Sequence, residues 1–254
     1  MMSPRISGVI AGVPTAAQQP KSFLAPDVRS DVAESTKPPA ITPEMRGDIM
    51  MARKRFREAV DAYQEGGETA VLLNKTGIAY HQMIELDAAK KYYEKSIKAN
   101  PAYPEALNNL GTIYYAKKSY RRALTYYKKA LRLNPKSASV YSNLGTAYFA
   151  RKNYSEAMTA YETAIALDPE VFEHHNSAGV LMQERAVEDR AKFHYYQAKL
   201  YAKNGMQDRA LLALRKSIEE GLKERDKIQD EPDFAAMREL PEFKEILASH
   251  PRVL

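Results

Sequence analysis

The side chains best suited to chemistry are sparse or scattered. Cysteine is absent, which excludes disulfides, thiolate metal sites and cysteine nucleophiles together. The five histidines are His81, His174, His175, His194 and His250. His174 and His175 are adjacent, and neighbours on a helix point about 100° apart, which is poor for shared ligation. His175 and His194 could approach each other around a turn, but two imidazoles fall short of a tetrahedral set, and no metal is expected. The 11 glycines fall in no phosphate-loop or dinucleotide spacing, and no G-x-S-x-G elbow or H-E-x-x-H helix occurs. Carboxylates are plentiful but sit beside Lys and Arg, and no catalytic pair stands out. The residues therefore predict no enzyme and no cofactor.

One charged series does recur: Lys117-Lys118, Arg121-Arg122 and Lys128-Lys129. From Pro104 to Ser137 eight basic residues face Glu105 alone, whereas Glu219 to Glu245 holds ten acidic residues against five basic. The formal net charge of +6 thus hides a basic middle and an acidic end, a layout suited to orienting a charged partner or to self-association. A solvated outer face is the plain explanation of the doublets. Binding of RNA or an anionic membrane is the alternative function, and the lack of exposed aromatics between the doublets argues against nucleic acid.

These side chains need a frame. The chain has 254 residues, 44% hydrophobic and 28% charged, with mean hydropathy −0.53, so it can bury a sizeable core. No run approaches the roughly 20 apolar residues of a spanning helix. Shifting the chain by 34 residues lays Pro104–Ser137 on Ala138–Val171 with fourteen identities, among them Asn109/Asn143, Gly111/Gly145, Thr112/Thr146, Tyr127/Tyr161 and Pro135/Pro169. Ala70–Tyr103 joins the register through Leu73, Gly77, Tyr80, Ala89, Tyr93 and Pro101. Each unit predicts two helices. The first, Pro104 to Ala116, carries Gly111 one turn before Tyr114. The second, starting near Tyr120, carries Ala123, Tyr127 and Ala130 on one face. Asn134-Pro135 stops it. A lone hairpin of this kind cannot bury its apolar face, whereas stacked copies can.

Leu107-x-x-Leu110-Gly111-x-x-Tyr114 and Tyr141-x-x-Leu144-Gly145-x-x-Tyr148, each followed by Ala, Tyr and Pro at fixed spacing, resemble the tetratricopeptide-repeat (TPR) family. Leu73-x-x-Thr76-Gly77-x-x-Tyr80 is a weaker copy. The resemblance implies an all-α, right-handed helix-turn-helix solenoid that binds a protein or peptide partner in its concave groove. It also implies a groove lined by the first helices, which carries over to Lys75, Ile78, Asn109, Thr112, Tyr115, Asn143, Thr146 and Phe149. Amides that both donate and accept suit an extended peptide backbone. The same asparagines could instead bond between neighbouring repeats, and both roles stay open. Tyr93, Tyr127 and Tyr161 fall on the packing period and are expected in the core.

The flanks predict a shortened first repeat over residues 41–69, tandem repeats at 70–103, 104–137 and 138–171, and an insert or lone helix at 172–190. A final repeat follows at 191–224, and a helical, polar cap at 225–254. Residues 1–40 read as a proline-rich leader. Within it, mildly apolar Ile6–Val13 before Thr15-Ala16-Ala17 outlines a degenerate signal peptide, broken by Gly8, Gly12 and Pro14. Cytoplasmic and exported locations are both compatible with it.

Overall fold

The computed structural model describes residues 40–172, 187–223 and 225–249, with side chains from residue 190 onward in the second stretch. The leader up to residue 39, residues 173–186 of the insert (His174 and His175 included) and His250 lie outside the described residues. The described residues form eleven α-helices and no β-strand. Five hairpins follow in order. They are α1 (Pro43–Ala52) with α2 (Phe56–Glu65), α3 (Ala70–Gln82) with α4 (Leu86–Ala99), α5 (Pro104–Ala116) with α6 (Tyr120–Leu133), α7 (Ala138–Ala150) with α8 (Tyr154–Leu167), and α9 (Val187–Lys203) with α10 (Gln207–Glu219). Short 3-10 turns at Arg225–Lys227 and Pro232–Met237 lead to α11 (Pro241–Ala248).

A pair of residues sets how closely the two helices of each hairpin approach. Gly47, Gly77, Gly111 and Gly145 each face a tyrosine on the second helix: Tyr63, Tyr93, Tyr127 and Tyr161. A Cβ on Gly111 would lie 2.5 Å from the Tyr127 ring, and one on Gly77 or Gly145 would lie 2.6 Å from its own tyrosine. Only a residue without a side chain fits beneath the ring. The fifth hairpin solves the same packing with Ala198 and Leu214, both fully buried. There the small residue is larger and the large residue smaller, so the filled volume changes little. One turn before each large residue stands Ala59, Ala89, Ala123, Ala157 or Ala210, each 0% exposed.

The connections repeat as faithfully as the helices. Asn100, Asn134 and Asp168, each just before a proline, accept a hydrogen bond from the N–H two residues on, at 3.0, 3.3 and 2.9 Å. Such Asx turns end the second helix and aim the chain into the next hairpin. In the third position after Pro43 and Pro104, backbone donors are already helical, and proline at these starts removes a donor that would lack a helical partner. Hairpin packs on hairpin along the chain. The first helices also touch one another, α3 with α5 and α5 with α7.

Each hairpin's inner turn passes through the left-handed region, at Lys54, Ile84, Lys118, Lys152 and Gly205, with φ from 57° to 72°. Only Gly205 adopts it without a Cβ penalty. Ile84 is the worst suited, being β-branched and 80% exposed, so no packing offsets its strain. Replacing Ile84 by glycine should therefore stabilise the protein by about 1 kcal/mol. A guanidinium titration read by far-ultraviolet circular dichroism checks this, and a midpoint unchanged or lowered would show the turn to be unstrained.

Candidate peptide groove

The first helices are joined by a repeating set of side-chain bonds. Two columns supply it, lying three and two residues before the packing glycine. Asn109 Nδ2 donates to Asn74 Oδ1 at 3.0 Å, and Asn143 Nδ2 donates to Asn108 Oδ1 at 3.0 Å. At the start of the solenoid the same two places hold Lys75 and Glu44, which pair at 2.8 Å. Three successive first-helix interfaces are thus bridged alike, twice by amides and once by charge. Each amide bond contributes about 1 kcal/mol net, and leaving one buried partner alone would cost about 1–3 kcal/mol.

Lys75 also meets Asp48 at 2.7 Å. Burial works to lower its ammonium pKa, but hydrogen bonds and charge attraction from Asp48 and Glu44 hold it above the ordinary lysine value. Asp48 accepts from the Tyr63 hydroxyl as well, at 2.8 Å. The one cation expected in the groove is therefore already engaged with two carboxylates of α1.

Between α3, α5 and α7 the stack leaves a hollow of about 250 Å³. Buried Asn74, Asn108, Asn109 and Val140 form its bottom; Ile78, Pro104, Glu105, Asn134, Ser137 and Ser139 form its more exposed rim. Of the residues expected to line a groove, Ile78 and Asn109 come together here, and Asn143 joins them through its bond to Asn108. Thr112 and Thr146 are buried, and their hydroxyls donate to the carbonyls of Asn109 and Ser142 in their own helices, at 2.7 and 2.9 Å. Tyr161 donates to Thr146 from behind, at 3.1 Å. Tyr115 is buried against Tyr120, with ring centroids 5.2 Å apart. Phe149 is 4% exposed at the centre of Tyr154, Phe193 and Tyr196, at centroid distances of 5.1, 5.6 and 5.9 Å.

Asn74, Asn108 and Ser139 went unread in the sequence. A signal was present: Asn74 and Asn108 lie one repeat apart, in the column beside Lys75, Asn109 and Asn143. Asn109 bonds across repeats and also faces the hollow. Tyr93, Tyr127 and Tyr161 are buried at 1%, 0% and 2% exposure, in the core as their spacing predicts.

Among the described residues no group of three or more His, Asp or Glu side chains could hold a metal ion, and no helix is long and apolar enough to cross a membrane. Tetratricopeptide-repeat family models match residues 72–103 and 103–170. No curated protein matches the chain. Among solved structures, the crystal structure of MamA is 21% identical with a TM-score of 0.47, over 68% of this chain and 93% of that one. The first TPR of Spaghetti (RPAP3), bound to the HSP90 peptide SRMEEVD, is 27% identical with a TM-score of 0.40, over 43% of this chain and 90% of that one. With family repeats matched from residue 72 to 170 and hairpins of the same Gly–Tyr or Ala–Leu build on both sides, the chain is a tetratricopeptide-repeat protein.

Proposed function

We propose that this protein is a non-enzymatic interaction scaffold that receives an extended peptide or protein segment in the hollow between α3, α5 and α7. The observation that carries the reading is the amide floor of Asn74, Asn108 and Asn109. Amides do not titrate near neutral pH, so this floor has hydrogen bonding to offer and no proton transfer. Each amide nitrogen has a second N–H, and each amide oxygen a second lone pair, beyond those the ladder uses. A peptide backbone presents alternating donors and acceptors that match such groups whatever its sequence. The ladder also fixes the amides before a ligand arrives, which lowers the ordering cost of binding. Ile78 and Val140 offer one apolar contact, and Glu105 at the rim favours a segment carrying Lys or Arg.

Alanine at the asparagines would break the ladder and confuse stability with binding. Ser139→Trp avoids this, because Ser139 sits half-buried on the rim and its replacement projects into the hollow. Peptides selected from a random display library on the wild-type protein should bind the Ser139→Trp variant at least about tenfold more weakly, since an occupied pocket loses its contact area. Anisotropy titration checks this, with circular dichroism confirming an unchanged fold. Equal affinity for both proteins would remove the groove from consideration.

A further inference from the structure

A second concavity lies at the other end of α5. The α5–α6 and α7–α8 turns border an open, shallow cleft of about 560 Å³ lined by Lys118, Ser119, Tyr120, Arg121, Arg122 and Arg151. Four of its six lining residues are cations, and none is an anion. Among the described residues none of those four cations forms an ion pair; Arg122 instead lies over the Tyr114 ring, 5.6 Å from its centroid.

The surrounding edge is different. Arg55 pairs with Glu58, Arg57 pairs with Glu85 at 2.8 Å, and Lys117 pairs with Asp87. Lys118, Arg121, Arg122 and Arg151 thus gather unpaired charge between two hairpins, with exposed Lys152 next in sequence to Arg151. Helix stability does not explain it either. α2, α4, α8 and α10 each carry a carboxylate in the first turn (Glu58, Asp87, Glu156 and Asp208), whereas α6 carries Arg121 and Arg122 there, against its own dipole. Conflicts of this kind with a local rule mark places where function sets the residue.

The chemistry of the lining and its surroundings selects the ligand. A nucleic-acid strand needs a continuous basic track with open aromatic faces for its bases. Here the Tyr120 ring, the one aromatic of the lining, is packed on Tyr115. A membrane surface would also meet the carboxylates Glu58, Glu85 and Asp87 at the starts of α2 and α4. A short stretch of carboxylates fits, because guanidinium forks bind carboxylates bidentately and several from one chain can enter one cleft. We propose that this cleft binds a carboxylate-rich segment of a partner protein, independently of whatever occupies the hollow between α3, α5 and α7.

The test uses the full chain and a fluorescein-labelled peptide of consecutive glutamates in Gly-Ser flanks. Oligouridine RNA and phosphatidylserine vesicles serve as competing probes. The peptide should bind wild type, weaken as salt rises, and lose at least about tenfold in affinity in the Arg121→Glu/Arg122→Glu variant. That variant restores acid to the start of α6, so its thermal midpoint should not fall. Arg151→Glu, on the other hairpin, should weaken the same peptide, while Ser139→Trp should leave it unchanged. Equal binding by the arginine variants would overturn the site. So would binding of RNA or vesicles in preference to the peptide.

Discussion

Replacing Tyr127 with alanine should cost about 4 kcal/mol of unfolding free energy, as large-to-small changes at buried aromatics do. The ring is 0% exposed, flanked by Ala123 and Ala130, and rests on Gly111. The same pair yields a sharper result in a mutant cycle. Gly111→Ala alone gains about 1 kcal/mol of helix propensity. It also places a Cβ 2.5 Å from the Tyr127 ring, an overpacking cost of about 3 kcal/mol. The clash wins, and the single variant should lose about 2 kcal/mol. In a Tyr127→Leu background the ring is gone, so the same alanine should stabilise by about 1 kcal/mol. The fifth hairpin already carries this combination as Ala198 and Leu214. Guanidinium unfolding of all four proteins measures the coupling. An equal effect of Gly111→Ala in both backgrounds would show that the tyrosine does not set the helix separation.

Phe234→Ala should also cost about 4 kcal/mol, and the loss should stay at one end of the molecule. Phe234 is 0% exposed, packed on Phe243 and Tyr195 at centroid distances of 5.8 and 6.1 Å. It belongs to the core that α9, α10 and α11 share with α8, which also holds Leu214, Ile218, Ile228, Met237 and Ile246. Polar contacts fasten the same cap. Tyr195 donates to Glu231 at 2.9 Å, and Lys199 meets Glu231 at 2.9 Å and Asp233 at 3.3 Å. Burial works to raise the Glu231 pKa, but the bonds from Lys199 and Tyr195 hold it below the usual value. In a solenoid each unit contacts only its neighbours, so amide exchange should rise in α9, α10 and the cap while α3 to α6 keep their protection. A uniform rise along the chain would indicate one cooperative unit.

The repeat was legible because its causes are local. Small and large residues at fixed spacing produce an amphipathic hairpin wherever they occur, and Asn100, Asn134 and Asp168 before proline end one without help from distant residues. The Gly–Tyr pairing could be read in the same way, since both members lie within one hairpin. The site was legible only in part. Ile78 and Asn109 reach the hollow, but family position alone did not tell that Thr112 and Thr146 would bond within their own helices. Nor did it tell that Tyr115 and Phe149 would be claimed by aromatic packing from the second helices and α9.

What the sequence by itself determined is the all-α repeat, its period and its tyrosine core, because these follow from contacts inside a hairpin. What only the tertiary structure decided is which side chains meet between hairpins. Asn109 finds Asn74, Asn143 finds Asn108, and Lys75 finds Glu44, each across an interface whose helix offset no single repeat encodes. The same stacking decided which cations are paired. Lys117 meets Asp87 of the preceding hairpin, while Lys118, Arg121, Arg122 and Arg151 converge on one cleft. Residue order sets the charge each hairpin carries, and the distance between hairpins sets whether that charge is neutralised.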